Sequence, residues 1–153
     1  MKHTAPSPAI RANPSWRVGI VAAPFYKEET EAIIASAKSF LLLSGIPEEH
    51  VTVHLVPGSF EVPLIGAALA QAKKVDALIG IGIVVQGETF HANLLAQEAT
   101  RGMMDVQLQY QIPFAFEILW VNDIAQARER GHKGAEAANA VVQSLAELER
   151  VRS

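Results

Sequence analysis

The sequence predicts an α/β fold, a three-layer α/β/α sandwich built on a four-stranded parallel sheet. Three observations carry that expectation. Strand-like and helix-like segments alternate four times along the chain. The run 77–85, ALIGIGIVV, is apolar with no polar alternation, as a strand covered on both faces must be. The intervening stretches place apolar residues three and four apart, on one helical face. With right-handed crossovers, the expected strand order is 2-1-3-4, that of the flavodoxin-like sheets.

Residues 1–15 hold Pro6, Pro8 and Pro14 among small polar residues, and read as an extended N-terminal arm. Residues 16–153 read as a single domain. The first strand is 18–23, ended by Pro24. From Glu28 to about Ser44 the period is helical, with Ile33, Ile34, Ala37, Phe40 and Leu41 on one face and Gly45 as the stop. The second strand, 51–56, is stopped by Pro57-Gly58. A small apolar helix follows over about 60–73. The third strand is 77–85, broken only by Gly80 and Gly82. A long helix over about 90–110 carries Leu95, Ala99, Met103, Val106 and Tyr110 on its buried side. The fourth strand is 114–121. Two helical segments, about 124–130 and 134–151, close the chain, with Lys133-Gly134 at the kink.

Composition removes several function classes. The chain has 153 residues, half of them hydrophobic and 19% charged, enough for one sizeable core and too apolar for disorder. Thirteen Lys and Arg against sixteen Asp and Glu give a formal charge of −3, against nucleic-acid binding. No cysteine is present, which excludes disulfides, thiolate nucleophiles and Cys-held metal clusters. His50 and His54 straddle a loop and a strand, so their spacing makes no metal site. No apolar run reaches the roughly 18 residues of a membrane span, and the N-terminus carries no signal-peptide core. These features set the expectation of a cytoplasmic domain that covers its surplus apolar surface by self-association.

In such sheets ligands bind beyond the C-terminal strand ends, where strand order reverses. Three loops therefore carry the chemistry: Pro24-Phe25-Tyr26, Pro57-Gly58-Ser59-Phe60-Glu61, and Gln86-Gly87-Glu88-Thr89-Phe90-His91. In the third, free N–H groups at a helix start make an anion site that Gly87 lets a ligand approach, and Thr89 can cap the helix. His91 stands in the same turn, either a proton carrier beside a bound phosphate ester or a half-exposed surface residue. Glu61 either accepts hydrogen bonds from a polyol or complements a helix dipole. Phe25 is either a stacking surface or core. Arg130 and Lys133 either meet a phosphate across a subunit boundary or sit as solvated helix-end cations. Glu117, a charge inside an apolar strand, fits an edge strand or an intersubunit pair better than a dry core. No Walker A or G-x-G-x-x-G pattern occurs.

Three segments together resemble the lumazine synthase family of riboflavin biosynthesis: 56–63 (VPGSFEVP), 82–91 (GIVVQGETFH) and 133–138 (KGAEAA). The similarity covers about 16–150. It implies a cofactor-independent transferase, metal-free, that condenses 5-amino-6-ribitylaminouracil with 3,4-dihydroxy-2-butanone 4-phosphate. The product is 6,7-dimethyl-8-ribityllumazine, with release of phosphate and water. By the resemblance, Phe25 stacks on the pyrimidine, and Ser59, Phe60 and Glu61 hold the ribityl chain. Val84 and Val85 lie along the pyrimidine, Gly87, Glu88 and Thr89 bind phosphate, and His91 transfers protons. Phe116, Arg130 and Lys133 are implied to come from an adjacent subunit, so the site requires an oligomer whose basic unit is a homopentamer.

The chain departs from the family pattern at several places. Gln86 stands where arginine is frequent, Glu117 where glycine is, and Trp120-Val121 where two threonines are; the kink is a few residues shorter. Two other functions fit the same scaffold: a protein that holds riboflavin or lumazine without turnover, and a structural shell subunit.

Overall fold

All five residues of β1 (Val18–Ala22) are buried, which places this strand inside the sheet. The computed structural model of the chain describes residues 5–153. β1 pairs in parallel with β2 (Val51–Leu55) on one side and with β3 (Ala77–Val85) on the other, and β3 pairs in parallel with β4 (Phe114–Val121). The sheet order is β2-β1-β3-β4, as expected from the sequence. Register runs from Val18 opposite Val51 and Ala77, and from Leu78 opposite Phe114 to Val85 opposite Val121.

β3 explains the layering. Side chains alternate across a strand, so Ala77, Ile79, Ile81 and Ile83 face one layer and Leu78, Gly80, Gly82 and Val84 face the other. The first set packs under α1 (Lys27–Ser44) and α5 (Lys133–Arg152), in a core with Ile20, Ile33, Leu41 and Val141. The second packs under α2 (Val62–Gln71) and α3 (His91–Tyr110), with Val62, Met103 and Phe114. Ile79 and Ile81 are fully buried, each contributing about 1.5–3 kcal/mol of hydrophobic stabilisation. The two glycines have a steric reason. A Cβ at Gly80 would stand 2.5 Å from Met103 Cε, and one at Gly82 would overlap Ser59 Oγ. Gly82 thus admits the second loop onto the sheet.

Helix ends differ from expectation in small, physical ways. α1 stops at Gly45, whose φ of 112° lies in the left-handed region. α2 begins at Val62 rather than at Phe60, because Ser59–Glu61 tightens into a 3-10 turn with Glu61 N–H on Gly58 C=O at 3.1 Å. Pro63 then fits the first helical turn, where no N–H partner is needed. A second 3-10 turn, Glu48–His50, is too short to leave a periodic signal. α4 (Ile124–Arg128) ends two residues early, and Lys133 and Gly134 lie in the first turn of α5 rather than at the kink, which is 129–132. In the segment expected to be an arm, residues 1–4 lie outside the described residues. Ala12 is buried in the main core, with its N–H on Ser44 C=O at 2.8 Å.

α1 and α5 touch through backbone at Gly134, where a Cβ would overlap the Ile33 carbonyl oxygen and stand 2.8 Å from Ala37 N. Neither backbone can give way without losing its own helix. Gly134→Ala is therefore expected to destabilise the chain by about 1–3 kcal/mol or more. Gly131→Ala, whose new Cβ meets only Ala32 Cβ at 3.7 Å, should stay within about 0.5 kcal/mol. Urea unfolding of both variants checks the difference.

Candidate functional site

One hollow of about 380 Å³ opens over the C-terminal ends of β1 and β3, at the reversal in strand order. That volume lies within the range of small-molecule sites. All three loops singled out in the sequence line it. The first supplies Phe25 and Tyr26, the second Pro57, Gly58 and Ser59, the third Gly87, Thr89 and His91. Val84 and Val85 form its floor with Ile83, and Ala92 and Leu95 continue its wall along α3.

Each group is held by local structure. Phe25 precedes α1 and is 77% exposed. It meets Tyr26 edge-on at 5.2 Å between ring centroids, which leaves a ring face open to stacking. Ser59 is buried against Gly82. Thr89 Oγ accepts a long hydrogen bond, 3.4 Å, from His91 N–H at the start of α3. The first i to i−4 bond there, Leu94 N–H to Phe90 C=O, leaves the N–H groups of the preceding turn without intrahelical partners. Gly87, Thr89 and His91 line the hollow at this helix start, a setting that suits an anion.

Six sequence-singled residues lie outside this hollow. Phe60 and Glu61 occupy the adjoining 3-10 turn, and Glu88 stands exposed in the third loop. Phe116 projects, 49% exposed, from β4 on the sheet edge. Arg130 and Lys133 line a second hollow of about 220 Å³ with Glu129, His132 and Glu136. There Arg130 Nη1 donates to Gln126 C=O at 2.6 Å, and Lys133 Nζ donates to Glu136 Oε2 at 2.8 Å. That hydrogen bond raises the Lys133 pKa. Nearby, Arg128 Nε pairs with Glu29 Oε1 at 3.0 Å and ties α4 to the start of α1. Glu29 is held below the usual carboxylate range by its own backbone N–H and then by Arg128.

Sequence reasoning named Tyr26, Pro57 and Gly58 only as members of the three loops, and did not single out Ala23, Ile83, Ala92 or Leu95 as site residues. Leu95 carries a signal, since it lies one helical turn beyond His91. Glu117 is on the edge strand, as its charge suggested, yet is only 9% exposed and faces α5. Burial pushes its pKa from 4.5 up to about 7; Lys133 opposes the shift and Glu136 adds to it. Among the described residues no cluster of three or more His, Asp or Glu is placed to hold a metal ion. No helix there is long and apolar enough to cross a membrane.

Comparison with known proteins adds an independent finding. The profile of the 6,7-dimethyl-8-ribityllumazine synthase family matches residues 15–149. The 6,7-dimethyl-8-ribityllumazine synthase of Albidiferax ferrireducens is 41% identical over 128 residues, covering 83% of this chain and 82% of that protein. The one from Acidovorax ebreus is 38% identical over 133 residues, covering 86% of each.

Glu117 generates a pH prediction. Folding raises its pKa from 4.5 to about 7, so between those values the folded chain holds a proton that the unfolded chain releases. The stability that Glu117 contributes is fully present below pH 4.5, is lost as pH rises through 7, and changes no further above that. Glu117→Gln, neutral at every pH, should raise the melting temperature at pH 8 by about 2–6 °C and leave it unchanged at pH 4.5. Thermal unfolding at the two pH values measures both.

Proposed function

The chain belongs to the 6,7-dimethyl-8-ribityllumazine synthase family of riboflavin biosynthesis, and on that premise we propose how its residues perform the family's condensation. The observation that carries the proposal is the single hollow that gathers Phe25, Ser59, Val84, Val85, Gly87, Thr89 and His91. In this reading the pyrimidine of 5-amino-6-ribitylaminouracil stacks on Phe25 and lies along Val84 and Val85. Its ribityl chain runs past Ser59 toward Phe60 and Glu61. The phosphate of 3,4-dihydroxy-2-butanone 4-phosphate sits on the Gly87-Glu88-Thr89 turn at the start of α3.

The substrate's primary amine attacks the ketone and expels one water to give an imine, phosphate leaves by elimination, and the ribityl-bearing amine closes the ring on the carbonyl so formed with loss of a second water. The nucleophile belongs to the substrate, so the chain's work is to hold two molecules together and move protons. His91 is the proton carrier, within the same turn as the phosphate. Reading the enzyme's working unit as one domain, 16–153, behind the arm 1–15 is supported by the family match over 15–149.

The unit is further proposed to be a homopentamer in the cytoplasm. Arg130, Lys133 and Phe116 lie away from the hollow, and in trans they would supply it with a phosphate arginine, a pyrimidine lysine and an aromatic closure. The exposed apolar surface supports this: Phe116 and Trp120 on the edge strand, Phe60, Phe90 and Leu94 next in sequence to residues that line the hollow, and Leu64 on α2. Such a surface is normally covered in a stable protein.

Mixing the purified protein with both substrates should produce lumazine fluorescence. His91→Ala should lower kcat about tenfold to a hundredfold, toward the small end of positioned acid–base effects, because approximation supplies rate on its own. A wild-type chain that binds riboflavin without forming lumazine would instead mark a binding protein. Sedimentation at micromolar concentration should show a species of five chains or a multiple of five; an active monomer would overturn the shared site.

A further inference from the structure

Gln86 sits between the last residue of β3 and the proposed phosphate turn. Its N–H donates to Val121 C=O at 2.8 Å, which extends the β3–β4 ladder by one bond. Its side chain bridges two elements. Trp120 Nε1 on β4 donates to Gln86 Oε1 at 2.8 Å. Gln86 Nε2 donates to Gly87 C=O at 2.9 Å and, more distantly, to Thr89 C=O at 3.5 Å. The orientation of the carboxamide is forced. An indole N–H only donates, so the oxygen must face Trp120 and the NH₂ must face the turn.

The space beside Gly87 is open. A Cβ placed on Gly87 would meet no atom within 4 Å. In a trans peptide each C=O points opposite to the following N–H. Drawing the carbonyls of Gly87 and Thr89 toward Gln86 therefore turns the N–H groups of Glu88 and Phe90 the other way. Donors set before the anion arrives bind it with less loss of freedom.

We propose that Gln86 and Trp120 are a positioning pair that sets the Gly87–Thr89 turn for the phosphate of the phosphorylated ketone. The inference rests on the reading of that turn as the phosphate site. Neither residue touches substrate; Trp120 acts through Gln86, and Gln86 acts through the turn's carbonyls. The edge strand thereby controls the affinity of a site on the preceding connection.

The test uses Gln86→Leu, Trp120→Phe and the double variant in the assembled protein. Trp120→Phe keeps the ring and removes only the N–H. Binding of inorganic phosphate is measured by calorimetry, and KM and kcat are measured with both substrates. Each single variant should weaken phosphate and raise KM for the phosphorylated ketone about threefold to tenfold, the scale of one lost hydrogen bond. KM for the pyrimidine should not move. The double variant should be no worse than Gln86→Leu, because the two bonds act in series. Unchanged phosphate affinity in either single variant, or additive losses in the double, overturns the pair. Phosphate binding reads the turn without turnover. Gln86-dependent phosphate binding in a chain that forms no lumazine would overturn the proposed reaction and leave the pair standing. Normal turnover with insensitive variants would overturn the pair alone.

Discussion

β3 is buried on both faces, and most of the architecture follows from that constraint. A strand with no wet side must be covered twice, so the chain needs a helical layer above and another below. The covering is asymmetric. Toward α1 and α5 the strand presents Ile79, Ile81 and Ile83. Toward α2 and α3 it presents Gly80 and Gly82, and the vacated volume is filled by Met103 and Ser59. Close packing makes these choices interdependent: a larger residue at 82 would displace the loop that carries Ser59 to the hollow.

The same principle operates at the opposite layer. Gly134 lets the first turn of α5 press on the α1 backbone at Ile33. Lys133 immediately precedes it, and Arg130 lies in the connection just before. The Glu29–Arg128 pair fastens the intervening α4 to the start of α1. One close helix contact and one ion pair thus hold the basic residues proposed to serve a neighbouring subunit. Glu117 adds an acid under this cluster. Its pKa of about 7, set mainly by burial, makes the charge balance around Lys133 responsive to neutral pH.

The site is assembled from connections that the sheet holds in register. Parallel strands end together at one edge, so the loops after β1, β2 and β3 converge although they are distant in sequence. The third loop differs from the others in being tied sideways, through Gln86, to the edge strand. Exposed aromatic residues stand beside the hollow and on that edge, where the proposed second subunit would cover them.

Residue order alone determined the strand and helix sequence, the bounds of the third and fourth strands, and the order β2-β1-β3-β4. Burial on both faces and period-3.6 patterning are local properties that leave a direct trace in sequence. The three-loop location of the hollow was legible for the same reason, since topology places strand ends. Tertiary structure alone decided the rest. Whether Glu117 on an edge strand is wet or buried depends on α5 lying over it. The partners of Gln86 depend on Trp120 arriving from a strand that is 34 positions away. The reason for Gly82 and Gly134 is a neighbour's atom rather than a turn. These are long-range steric and polar contacts, and no short window of sequence contains both members of the pair.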